Sequence, residues 1–481
     1  MALEKQENKC APKALQVLLW IFPILFLIDN ILGFNGYQFT IGGKSIRIIL
    51  FAISMAIMCA YSVFVMVKEK ILIFSKDKNS LTIWQILRPL DYLVVCFLLG
   101  NALWATAVPL IVKGEMTFGL KDFSSLLVLA LYFPVAFLIR TGKLNKKLLE
   151  KMIYVLTLIL ALWHCVMYIG DTISPGFYES YYDFIDIISF GTAVRSSVIF
   201  GFGIVRIIQT TSLFLLMGFF LAVKRVAKGK WWHILSLLVF TFAICVTYTK
   251  SIWFGYLAGL FLYLVPNIFV NKDKKVKIKN LLALIISLVL IVALNFTVFN
   301  NTIFERAFNT VRSGQSVEEM QQMIDELNAA GEDTSELQNK LKDALGTQQA
   351  NSLRAAQNGA LIEKWSQSKW FGFGYGSYAE DCIRNEAYPY MYESTLPALI
   401  MKIGLIGSLL WVVFICGATV SAVMTFRKEK LGSLFLWLGI ALSYGLAVQT
   451  NPFLFTFAGM SMLLYLLILV QDKNCLTGVK K

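Results

Sequence analysis

Apolar residues run in blocks of about twenty, long enough at about 1.5 Å per residue to cross roughly 30 Å of hydrocarbon as helix. About twelve blocks meet that requirement: 15–34, 46–67, 92–112, 123–139, 152–169, 200–223, 231–248, 252–270, 281–299, 404–426, 431–448 and 452–470. One long polar interval, residues 300–404, interrupts the rhythm. The pattern therefore predicts an all-α polytopic membrane protein in three parts: helices one to nine over 1–299, a large loop over 300–403, and helices ten to twelve with a tail over 404–481.

Within the interval, SVEEMQQMIDELNAAGEDTSELQNKLKDAL reads as a helical hairpin over 316–345. Ser316 with Glu319 and Asp333 with Glu336 fit capping boxes, and Gly331 parts the two arms. Met320, Ile324 and Leu327 would face Leu337, Leu341 and Leu345. A separate helix is expected from Ser352 through LRAAQNGALIEKW, ending at SKWFGFGYGSY. There Gly372, Gly374 and Gly376 force a turn that would pack near the membrane surface. After an acidic and aromatic stretch, 380–392, a short amphipathic helix over 393–402 leads into the tenth span. Lys402 is expected at the interface, because a lysine at mid-membrane is costly.

Composition agrees with the pattern. The chain of 481 residues is 57% hydrophobic and only 15% charged, with a mean hydropathy of +0.65, which excludes a soluble globule of this size. The net charge of +14 informs topology rather than suggesting nucleic acid, since short loops rich in Lys and Arg stay in the cytoplasm. Most of the 44 basic residues fall in the N-terminus, KEKILIFSKDKNS, RTGKLNKKLLEK, KRVAKGK, NKDKKVKIKN, RKEK and the C-terminal tail. Both termini are then inside and the long loop is extracytoplasmic, out of reach of ATP and sugar nucleotides. The basic N-terminus precedes an apolar run without a small-residue cleavage site, so an uncleaved first helix is expected. The loop DTISPGFYESYYDFIDIISFGTAVRSS, between helices five and six, suits the headgroup region. The eight cysteines are scattered without metal-like or disulfide-framework spacing.

Basic residues on the outer side are few: Arg195 and Arg206 at the start of the sixth helix, Lys250 in the turn between helices seven and eight, and Arg354 and Arg384 in the long loop. An arginine beside an apolar span needs a partner. Pyrophosphate is one, because guanidinium binds it bidentately; an acid such as Asp29 or Asp122 is another. His164 is the one histidine with outer access, and a lone histidine on an apolar helix is more often structural. Glu393, a carboxylate at the membrane surface, is better placed as a base if burial raises its pKa; it could equally be a helix-start acid favoured by the dipole. No GxxxxGK[ST], HExxH or outer DxD occurs, which leaves an ATPase or zinc protease unsupported.

Three local patterns resemble the O-antigen ligase/polymerase family of membrane glycosyltransferases. TYTK at 247–250 resembles a T-x-S-R at a helix end, with Lys250 in the arginine's position. LRAAQNGALIEKWSQSKWFGFGYGSY is similar to an arginine-led helix followed by an "nPlfGiGfG" turn, matching Arg354, Gly372, Gly374 and Gly376. YESTLPALIMKIGLIG resembles "HNsyLqllaetGliG", with Glu393 where many members have the histidine proposed to activate the acceptor hydroxyl. The resemblance implies a glycosyltransferase C-type fold and polyprenyl-pyrophosphate-linked glycans as donor and acceptor, with no metal or cofactor requirement. It further implies work beside a flippase and a chain-length regulator in a bacterial cytoplasmic membrane. Arg195 or Arg206 would match the family's external arginine. The expected activity is polymerisation of lipid-linked repeat units, with Glu393 as base and Arg354, Arg206, Arg195, Lys250 and Arg384 on the pyrophosphate. A ligase using a lipid or wall acceptor is the rival within the family. A transporter or lipid-linked oligosaccharide flippase is the rival outside it, though the two halves show no similarity to each other.

Overall fold

A computed structural model describes residues 13–33, 40–41, 44–74, 82–111, 116–188, 206–308, 317–329, 334–383, 386, 388–427 and 431–472. The described chain is helical apart from loops and one minimal hairpin, in which Thr40–Ile41 pairs antiparallel with Lys44–Ser45. Nine helices among the described residues are long and apolar enough to cross a membrane: Ile46–Lys68, Pro89–Ile111, Met116–Arg140, Lys146–Ile173, Thr210–Ala227, Lys250–Val270, Lys274–Thr297, Thr395–Phe426 and Leu431–Gln449. Shorter apolar helices, Trp20–Leu32, His233–Val246 and Phe457–Leu469, fall on the other three expected spans. Large apolar side chains such as Leu99, Leu103, Val155, Leu409 and Val412 face outward. That arrangement is unfavourable in water and natural in lipid.

The Leu213–Ala227 helix is the centre of the bundle, buried around its whole circumference. A helix apolar on all sides belongs in the interior, and this one packs on its neighbours Lys146–Ile173, His233–Val246, Lys274–Thr297 and Leu431–Gln449. The most extensive helix pairing among the described residues joins Lys250–Val270 to Leu431–Gln449. Small residues permit it: a Cβ on Gly259 would meet Gly439 O at 2.4 Å, and Ser443 Oγ donates to Gly255 O at 2.7 Å.

The described parts of the segments expected on one side share one end of the bundle. There Lys143 pairs with Glu69 and Lys224 with Glu150, both at 2.7 Å, and Arg140 grips both oxygens of Asp91 at 2.5 and 2.7 Å. The loop between helices five and six opens as an amphipathic helix, Phe177–Ile188. The hairpin's arms are helical at Val317–Ala329 and Ser335–Ser366. Ile324 and Leu341 are buried, while Leu345 is exposed and Leu327 only partly covered. The expected caps Ser316 and Asp333, and Gly331, lie outside the described residues. The second arm does not stop before Ser352. It continues through Arg354 as one helix of 32 residues, so the hairpin's second arm and the arginine-led helix are one element.

Candidate functional site

The long apolar helix Thr395–Phe426 is broken at Gly404, whose φ of 63° and ψ of −167° are non-helical. A break leaves backbone groups without partners, which is tolerable at membrane depth only if something else supplies them. The glycine-rich turn does so. Phe373 N donates to Met401 O at 3.1 Å and Gly374 N to Lys402 O at 2.7 Å, while Leu405 N and Ile406 N donate back to Lys369 O and Trp370 O at 2.9 and 3.0 Å. Gly372, Gly374 and Gly376 all have positive φ. A Cβ on Gly374 would meet Pro109 at 2.6 Å, and one on Gly376 would meet the backbone of Phe118 and Gly119 at 2.3 Å. The turn is therefore threaded into the broken helix and wedged against Pro89–Ile111. Tyr375 N donates to Trp104 O at 2.9 Å, and its hydroxyl to Asn101 Oδ1 at 2.5 Å.

Lys402 ends the half-helix ahead of the break. It is buried within the protein: 2% of its side chain is exposed, and Nζ lies 2.5 Å from Asp122 Oδ2. Gly376 N donates to the same oxygen at 3.0 Å, and the ammonium lies over the Phe455 ring at 4.9 Å. A small cleft opens above this pair, lined by Tyr390, Tyr392 and Thr395. Burial pushes the Tyr392 phenol up to about 12, so it stays neutral near neutral pH, accepting a hydrogen bond from Ala379 N at 2.7 Å.

Glu393 stands just ahead of that half-helix, one residue before its N-cap Ser394, rather than opening the helix itself. Arg354 Nε lies 2.9 Å from Glu393 Oε2. Side-chain exposures of 43% for Arg354 and 30% for Glu393 make this a half-open pair, not a carboxyl buried in apolar surroundings. Leu361, Tyr392, Ala398 and Met401 cluster beneath it and lock the arginine's helix to the half-helix. Gln357, one turn beyond Arg354, is buried with its Oε1 unpartnered.

A ladder of hydrogen bonds and chain-adjacent residues, starting two residues after Glu393 at Thr395, leads to the other expected residues. Thr395 Oγ1 donates to Val448 O at 2.5 Å and Asn451 O at 3.2 Å, and Asn451 Nδ2 donates to Ser251 Oγ at 2.8 Å. Ser251 follows Lys250, the first residue of its helix, whose N-cap is Thr249. Arg206 closes the ladder, with Nη2 donating to Thr249 Oγ1 and Nε to Thr247 O, both at 3.1 Å. Arg206 precedes the sixth apolar helix in a non-helical lead. Asp29 and Asp122, the acids considered for it, hold Arg47 and Lys402 instead. Arg195 and Arg384 lie outside the described residues. His164 is fully buried, with Nε2 3.1 Å from Ser212 Oγ, which is a structural placement.

The arrangement thus brings Arg354 and Glu393 into contact, and hydrogen-bonds their neighbourhood to that of Lys250 and Arg206, at the end of the bundle away from the basic loops. Sequence reasoning missed the Asp122–Lys402 pair and the Asn101–Tyr375 bond, which join residues 280 and 274 positions apart. Compared with protein-family models, curated proteins and solved structures, the chain matches none.

Proposed function

We propose that this protein is a membrane glycan polymerase with twelve transmembrane helices in a glycosyltransferase C-type arrangement. It joins polyprenyl-pyrophosphate-linked repeat units on the outer face of a bacterial cytoplasmic membrane, with both termini inside. Glu393 accepts the proton of the acceptor hydroxyl as that oxygen bonds to the donor's anomeric carbon. The bond from that carbon to the pyrophosphate oxygen breaks, and polyprenyl pyrophosphate leaves. Arg354, Lys250 and Arg206, with Arg195 and Arg384 as further candidates, offset the charge growing on the leaving group.

One observation supports the reading: two motifs of the resemblance, 354–376 and 393–404, are in direct contact, with Arg354 Nε on Glu393 Oε2 at 2.9 Å, and the third, 247–250, is linked to them indirectly, through Thr395, Asn451 and Ser251. Holding one oxygen fixes the plane of the carboxylate, and a guanidinium beside the base suits a reaction that separates a proton from a pyrophosphate. The Lys402–Asp122 pair and the glycine turn set the height of the half-helix behind Glu393 and so position it.

Mass spectrometry of lipid-linked glycans in a strain lacking the protein tests the reaction. Single repeat units should accumulate on the carrier. Accumulated long chains would instead indicate a ligase acting on a different acceptor, and an unchanged glycan pool would contradict both.

A further inference from the structure

The end of the bundle opposite Arg354 and Glu393 carries a second concentration of charge. The Leu213–Ala227 helix, 15 residues long, separates the two ends by about 22 Å at 1.5 Å per residue. Lys224 and Arg225 close this helix, Lys228 caps it, and Gly229 turns the chain with φ of 82°. Lys230 then leads through Trp231 and Trp232 into His233–Val246. Lys147, in the first turn of its helix, lies close enough to act on the Lys228 charge, and Lys279 reaches so close that a Cβ on Gly229 would lie 3.0 Å from its Nζ.

Acids do not match these cations among the described residues. Glu150 faces the group and is engaged by Lys224 at 2.7 Å. Arg225 is turned inward, its guanidinium 3.6 Å from the Tyr154 ring centroid. Lys147, Lys228 and Lys230 are exposed. Partial burial first, then Lys224, Lys230 and Lys147, hold the Lys228 ammonium below the usual lysine range, with Glu150 opposing. Such crowding is relieved by a bound anion. Beside it, Trp231 and Trp232 are 41% and 74% exposed, and indoles with an apolar face and a polar N–H settle at headgroup depth.

We propose that Lys147, Lys228, Lys230 and Lys279, flanked by Trp231 and Trp232, form a binding site for the headgroup of an anionic phospholipid. The lysines take the phosphate, and the indoles hold the glycerol and upper acyl region against the helix ends. This site is independent of the glycosyl-transfer reading.

The test uses the full-length protein in nanodiscs and by native mass spectrometry. Phosphatidylglycerol should raise the unfolding temperature and remain bound, while phosphatidylcholine and inorganic phosphate should do neither. The K147Q/K228Q/K230Q variant should retain phosphatidylglycerol less, by roughly fivefold per lysine, and the W231A/W232A variant should also retain less. K230Q alone, an exposed change outside any helix, serves if the triple variant does not fold. Equal retention by wild type and lysine variants overturns the proposal. Stabilisation by inorganic phosphate as large as that by lipid also overturns it, since the site would then serve a soluble anion.

Discussion

Asp122 and Lys402 lie 2.5 Å apart with 2% of each side chain exposed, so replacing one partner strands the other's charge in apolar surroundings. The D122N and K402M variants should each lose about 3–5 kcal/mol, read as a lower unfolding midpoint in detergent. D122N/K402M together should lose less than the sum of the two. Arg354 and Glu393, half open to solvent, are a pair worth at most about 1 kcal/mol. R354Q and E393Q should therefore melt within a few degrees of wild type while losing polymer. At this scale the sequence was informative where charge is rare: Arg354, Glu393, Lys250 and Arg206 stood out as polar groups on an apolar outer side. The partner of Lys402 escaped notice because it is 280 residues away and periodicity carries no record of such pairings.

The broken helix and the turn threaded through it act as one element. Gly404 and Gly374 adopt φ of 63° and 87°, and a Cβ at either would collide with backbone or ring atoms at 2.4 and 2.6 Å. G404A and G374A should each cost more than about 1–3 kcal/mol. G359A, where a Cβ meets nothing within 4 Å inside the Ser335–Ser366 helix, should stabilise by up to about 1 kcal/mol. Thermal unfolding of the three variants separates these outcomes. The glycines were legible as a turn because three so close together admit little else. That the turn fills a helix break was not, since the freed carbonyls of Met401 and Lys402 exist only once Gly404 has broken the helix. The fused helix escaped notice because its middle, around Gly346, is polar and pairs weakly with any apolar face. One glycine costs a long helix only about 1 kcal/mol, too little to end it.

At the scale of the molecule, the apolar blocks were legible because bilayer thickness prescribes their length: among the described residues nine of the twelve are met by helices long enough to span, and the other three coincide with shorter apolar helices. Which helices neighbour one another was not legible; that depends on contacts such as Gly259 against Gly439. The ends of the bundle divide the charge, with basic loops at one and the Arg354–Glu393 pair at the other. With native cysteines removed, a cysteine at Ser352 should react with a membrane-impermeant maleimide in intact cells and one at Lys230 should not; the reverse pattern inverts the proposed topology.

The central claim is that Glu393, held by Arg354, activates the acceptor hydroxyl for transfer between lipid-linked glycans. Its most direct test is elongation of a purified lipid-linked repeat unit by the purified protein in detergent, followed by chain-length analysis. Wild type should build a ladder of products, and E393Q, folded to the same unfolding midpoint, should be slower by about 10²-fold or more. An undiminished E393Q ladder would remove Glu393 from the mechanism, and no elongation by wild type would contradict the account.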